Sequence, residues 1–227
     1  MTLSTEIALV LWIINFIEMG LVSRIFFKEY KSASNKFYLG VAFFYILFIL
    51  ARLCEIIRIS LYPGAAFPYT GLNFLLKTGY TVFSYIGLTV IYYVLERYVF
   101  TGTKKVFTIL VPIAAILSIW MTTYSLLDPT YNLLFSVVIP IYAIILLGIV
   151  GMYIYLALKS SGEIRRNSVM VIFGVFLFEL GIIFALPEAQ ATLFAAIPLD
   201  ILLILPPILS ILGVLLQIRG FKTSISE

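Results

Sequence analysis

Arg52, Glu55 and Arg58 stand three residues apart in a run that is otherwise almost wholly apolar. That spacing stacks the three side chains along one face of a helix, where opposite charges can pair. A charge placed in hydrocarbon is costly unless it is paired or hydrated, so each needs a reason to be there. A second polar set follows. Asn73, Lys77, Tyr80, Thr81, Ser84 and Gly87 recur at steps of three or four and share a helix face. If the two segments run antiparallel, Arg52, Glu55, Lys77, Tyr80 and Thr81 fall at a similar depth, and Asp200, early in the last apolar run, comes from the same side. These six are the candidate ligand-binding residues of an outward-facing polar pocket. The same groups also suit an interhelical ion-pair network, with Arg58 and Lys77 long enough to snorkel to the headgroups.

Glu18 and Glu179 form a different class. Each falls near the middle of an apolar run, too far from either end for so short a side chain to reach water, and Asn15 shares the face of Glu18. Desolvation favours their neutral form, which donates a hydrogen bond and can glue helices together. Proton relay or cation coordination is the functional alternative. Glu96, Arg97 and Tyr98, with Arg165 and Arg166, offer a charged cytoplasmic surface for a partner. Gly148, Gly151, Gly174 and Gly181 are expected at close-packed helix faces, and the tyrosines (Tyr45, Tyr80, Tyr85, Tyr92, Tyr93, Tyr142) at an aromatic cavity, core or interfacial belt.

The elements that carry these residues must be membrane helices. Of 227 residues, 63% are hydrophobic and 11% charged, with a mean hydropathy of +1.13. A soluble domain of this size has too little interior for that much apolar surface. Continuous rather than alternating apolar runs favour helices over a barrel. The chain has no histidine, which points away from His-ligated zinc and from the commonest acid/base chemistry near neutral pH. No enzyme, metal or prosthetic group is expected. The single cysteine, Cys54, excludes an intramolecular disulfide.

Seven spans are expected, at about residues 7–26, 37–59, 72–99, 106–126, 133–158, 169–186 and 199–218, forming one all-α seven-helix bundle over residues 1–227. The first is too long for a signal-peptide core and lacks a basic leader, so it is expected to be retained. The segments 63–71 and Asp128-Pro129 read as breaks, Lys159 to Asn167 as a polar connection, and Pro140 and Pro206-Pro207 as bends. An odd number of spans puts the termini on opposite sides. Arg24, Lys28, Lys31, Lys36, Arg97, Lys104, Lys105, Lys159, Arg165, Arg166, Arg219 and Lys222, twelve of the fifteen basic residues, share the side of the C-terminus. The positive-inside rule therefore places the N-terminus outside and the C-terminus in the cytoplasm. It also accounts for the net charge of +4 without a nucleic-acid partner.

Glu96-Arg97-Tyr98 resembles the acidic-Arg-Tyr tripeptide of rhodopsin-like receptors. The seventh span has no Asn-Pro-x-x-Tyr, the sixth has no proline, and Cys54 alone cannot form their extracellular disulfide. Size and short loops are similar to those of a microbial rhodopsin, but no lysine lies between Leu199 and Ile218 to form a retinal Schiff base. A broader resemblance is to the seven-helix sensor domains at the N-terminus of some prokaryotic histidine kinases. It is carried by Glu55, by Lys77, Tyr80 and the terminal Glu96-Arg97-Tyr98 on the third helix, and by the run from Pro206-Pro207 through Gly213 to Arg219-Gly220. That resemblance implies signal sensing. With no kinase before Glu227, output is expected through another protein.

The expectation is thus a plasma-membrane, multi-pass receptor or sensor. Its partners are the lipid bilayer, an unknown cytoplasmic signalling protein and, as a candidate, a second copy of the chain. A small proton- or ion-coupled transporter using Glu18 and Glu179 is the alternative, and a structural membrane subunit a third. Absence of an internal repeat weighs against an inverted-repeat transporter. Topology is tested with single cysteines at Thr2 and Ser226, introduced after Cys54→Ser. In intact cells an impermeant thiol reagent should label position 2 and spare position 226; labelling at 226 would reverse the orientation.

Overall fold

A chain this apolar must satisfy its backbone hydrogen bonds internally wherever lipid replaces water, and the helix does so within one segment. A computed structural model describes residues 3–62, 71–124, 131–185 and 196–223. Among them are seven α-helices: α1 (Leu3–Ala33), α2 (Lys36–Leu61), α3 (Gly71–Tyr98), α4 (Val106–Tyr124), α5 (Tyr131–Lys159), α6 (Gly162–Ala185) and α7 (Leu199–Thr223). A 3-10 turn, Thr101–Thr103, precedes α4. Five of the helices, α1, α2, α3, α6 and α7, are long and apolar enough to cross a membrane. The protein is therefore all-helical in its described residues and membrane-embedded.

Helices overrun the expected spans. α1 carries on past residue 26 through the basic residues Lys28 and Lys31 to Ala33. Most of the polar run 159–167 is helical rather than a connection, because α5 ends at Lys159 and α6 starts at Gly162. The reason is that backbone bonds are as well satisfied inside a helix in water as in lipid, so nothing stops the helix where the hydrocarbon ends. The break is made by backbone geometry instead: Gly162 has φ +60°, a left-handed conformation that glycine adopts without penalty. Between α1 and α2, Ser34 turns with φ +54° and the Asn35 side chain caps α2 by accepting from the Phe37 amide at 3.0 Å. Residues 63–70 and the Asp128-Pro129 break lie outside the described residues, as do the side chains of Pro140 and Tyr142.

The chain divides into two units, Gly20–Ile145 and Met1–Met19 with Leu146–Glu227. In the first, α3 packs between α2 and α4. Phe37, Tyr45, Ile91, Tyr92 and Leu95 are fully buried there, and Tyr92 stacks on Phe107 with ring centroids 5.1 Å apart. The Tyr85 and Ser118 hydroxyls share a 2.8 Å bond between α3 and α4, and the Tyr92 hydroxyl donates to the Ile145 carbonyl. Tyrosines thus pack as core while satisfying their hydroxyls.

The second unit is held differently. α6 and α7 run antiparallel, with glycines seven apart on each, so that backbone meets backbone. A Cβ on Gly213 would lie 2.6 Å from the Phe178 amide nitrogen and 2.7 Å from the Gly174 carbonyl oxygen. A Cβ on Gly174 would lie 2.8 Å from that of Gly213. Gly181 meets Pro206 and Ser210, and Gly220 meets Asn167 and Val171. Gly174 and Gly181 are therefore close-packed. Gly151 is not: it is exposed, and a Cβ there would meet nothing within 4 Å.

Enlarging either glycine of the central crossing must push two backbones apart. Gly174→Leu and Gly213→Leu should each destabilise the protein by about 1–3 kcal/mol, read as a lowered thermal unfolding temperature in detergent. Gly151→Leu should leave it unchanged.

Candidate functional site

α2 and α3 bring most of the candidate pocket together. Three-residue spacing turns Arg52, Glu55 and Arg58 inward on α2, and all three are buried, at 3%, 2% and 1% exposure. Arg58 does not reach for the headgroups. Its Nε donates to one Glu55 carboxylate oxygen at 2.9 Å and its Nη2 to the other at 2.8 Å, a bidentate ion pair within one helix. A long side chain that finds a carboxylate one turn away has no need of the interface. The charges of Lys77 and Arg52 also act on Glu55.

Tyr80 on α3 lies between cations of two helices. The Arg52 guanidinium carbon is 5.9 Å from its ring centroid and the Lys77 Nζ 5.4 Å, both within cation–π range. The helices approach closely here: a Cβ on Gly79 would lie 3.2 Å from the Cys54 sulfur. Thr81 is buried, and its hydroxyl donates to the Lys77 carbonyl at 3.0 Å, one turn back on its own helix. Asn73, also buried, stands at the start of the same face. Asp200 belongs to the other unit, where it is exposed and accepts a hydrogen bond from the Ser4 hydroxyl.

At the far end of α3 the tripeptide splits. Glu96 is buried and reaches across the turn to α4, accepting from the amides of Phe107 at 3.1 Å and Thr108 at 2.8 Å. Those amides belong to the first turn of α4, whose donors have no partner inside the helix, and the helix dipole favours a carboxylate there. Sequence reasoning missed this clamp. Its signal was a glutamate closing one helix just before a short turn into the next. Arg97 and Tyr98 are exposed, and the Arg97 guanidinium lies over both Tyr93 and Tyr98, 5.7 Å from each ring centroid. Arg165 and Arg166 are exposed on α6, where Arg166 pairs with Glu163 at 3.4 Å.

Glu18 sits halfway along α1, and the amide nitrogen of fully buried Asn15 is 3.4 Å from its carboxylate. Asn15 Oδ1 and Glu18 Oε1 are buried and make no hydrogen bond among the described residues. Glu179 is half-buried on α6. Among the described residues no group of three or more Cys, Asp or Glu side chains is placed to hold a metal ion. No family model, curated protein or solved structure matches this chain.

Removing one partner of the Glu55–Arg58 pair leaves the other charge buried. Arg58→Met alone should cost about 3–5 kcal/mol, and the double variant Glu55→Leu with Arg58→Met should recover most of that loss. Unfolding in a denaturing detergent titration measures both. Glu96→Gln keeps the acceptor but loses the charge, and should cost about 1 kcal/mol.

Proposed function

We propose that this chain is a seven-span plasma-membrane receptor of the sensor type. Its N-terminus is outside, its C-terminus is cytoplasmic, and it passes a signal to a separate cytoplasmic protein without chemistry of its own. The observation that carries this reading is the layout of α3. One end holds Lys77 and Tyr80 against the buried charges of α2, and the other holds the Glu96 clamp and the exposed Arg97. Its 28 residues, at about 1.5 Å each, make one helix about 42 Å long. A ligand engaging Arg52, Lys77 and Tyr80 would change how α3 packs on α2, and a helix carries such a shift to its far end. Signalling then needs only two packings whose balance the ligand moves.

The alternative is a proton- or ion-coupled transporter, favoured by Asn15 Oδ1 and Glu18 Oε1, which make no hydrogen bond among the described residues. A transporter must expose such a carboxylate alternately to both sides; a sensor need not.

A fluorophore at Tyr98→Cys, in a Cys54→Ser background, reports on the far end of α3 in nanodiscs. Lys77→Met should alter its emission or quencher accessibility, while Leu75→Ala, at an exposed site on the same helix, should not. Identical spectra for all three proteins would remove the coupling on which sensing depends. In liposomes the wild type should hold a pH gradient. If it dissipates the gradient and Glu18→Gln or Glu179→Gln abolishes that flux, the transporter reading replaces this one.

A further inference from the structure

α1 presents a cationic face where its apolar part ends. Arg24, Lys28 and Lys31 are all exposed, and at 100° per residue they fall within a narrow arc of the helix. Along the axis they cover seven residue steps, about 10 Å. With Leu21, Ile25 and Phe27 they line a shallow groove of about 620 Å³. Leu21 and Ile25 are 54% and 38% exposed on either side of Arg24, so apolar surface flanks the first cation and gives way to Lys28 and Lys31 toward the end of the helix.

These cations are not neutralised from within. Among the described residues none of the three has a carboxylate partner, unlike Arg166, which pairs with Glu163. Glu29, the acid nearest in sequence, acts electrostatically on Tyr38 of α2, and its position on the helix wheel is well over 60° from the basic arc. Arg24, moreover, lies near the end of the apolar run 7–26 read from the sequence, and Lys28 and Lys31 beyond it. That places the three around the depth at which lipid phosphates stand.

We propose that this face binds an anionic phospholipid of the adjoining leaflet. Arg24, Lys28 and Lys31 hold the headgroup phosphate, and the upper acyl carbons lie against Leu21 and Ile25. A soluble acidic peptide fits less well, because it would have no use for apolar side chains at the membrane end of the groove. Charge complementarity and depth together select the lipid. The proposal is independent of the sensor reading, since a transporter or a structural subunit would carry the same site.

The test uses the full chain in nanodiscs of mixed phosphatidylglycerol and phosphatidylcholine, with the lipids retained after detergent release counted by native mass spectrometry. Wild type should retain phosphatidylglycerol in excess of its share. Neutralising Arg24, Lys28 and Lys31 together to Gln should bring retention back to the bulk ratio. Each single Gln variant should lower the preference about fivefold or less, which keeps the test alive if the triple variant does not fold. Lys104→Gln with Lys105→Gln and Lys159→Gln removes as much charge elsewhere and should leave the preference intact. The proposal fails if wild type shows no preference, if the α1 variants keep it, or if the control variant loses it equally. It also fails if excess inorganic phosphate abolishes the preference, since a small-anion site would then explain the binding.

Discussion

In hydrocarbon there is no water to take up a polar group left over, and most of this structure answers to that constraint. Backbone groups are taken up by helices. Some hydroxyls are turned back on their own helix: Thr81 donates to the Lys77 carbonyl, Thr89 to Tyr85 and Ser168 to Ile164, each four residues earlier. Glu55 and Arg58 satisfy each other in a bidentate pair, and Glu96 satisfies the open amides of α4. Polar residues that would be unremarkable in a soluble protein become, in this solvent, the groups that decide which helix faces meet.

The two units meet the constraint by different means. Around α3, large aromatic residues fill the interior and their hydroxyls find partners on neighbouring helices, as with Tyr85 and Ser118. Between α6 and α7, glycines let the two backbones touch. Lipid tails are as apolar as leucine, so the second arrangement relies on close van der Waals contact rather than on hydrophobic burial. An added methyl at the crossing must push the two backbones apart.

The buried charges on α2 are informative for the same reason. Apolar side chains of similar volume would hold α2 against α3 nearly as well, because desolvating an ion pair costs much of what the attraction returns. The place of these buried charges beside Lys77 and Tyr80, at the opposite end of α3 from the Glu96 clamp, makes one helix the link between two polar regions.

Composition and periodicity determined that the chain is helical and membrane-embedded, and located its helices to within a few residues at most ends, because the solvent imposes a length and an apolar surface that can be read directly. The inward turn of Arg52 and Glu55 was legible too, from three-residue spacing in an apolar run. Helix ends at α1, α6 and α7 were not, since a helix in water looks no different from a loop on a hydropathy scale. Nor was the fate of the polar side chains. Whether Arg58 snorkels or folds onto Glu55, whether Glu96 faces a partner or caps α4, and whether Gly151 or Gly213 is the tight crossing depend on what stands within a few ångströms in three dimensions. Only tertiary structure supplies that neighbour, and a hydrogen bond or a steric contact is made with a neighbour, not with a position in the chain.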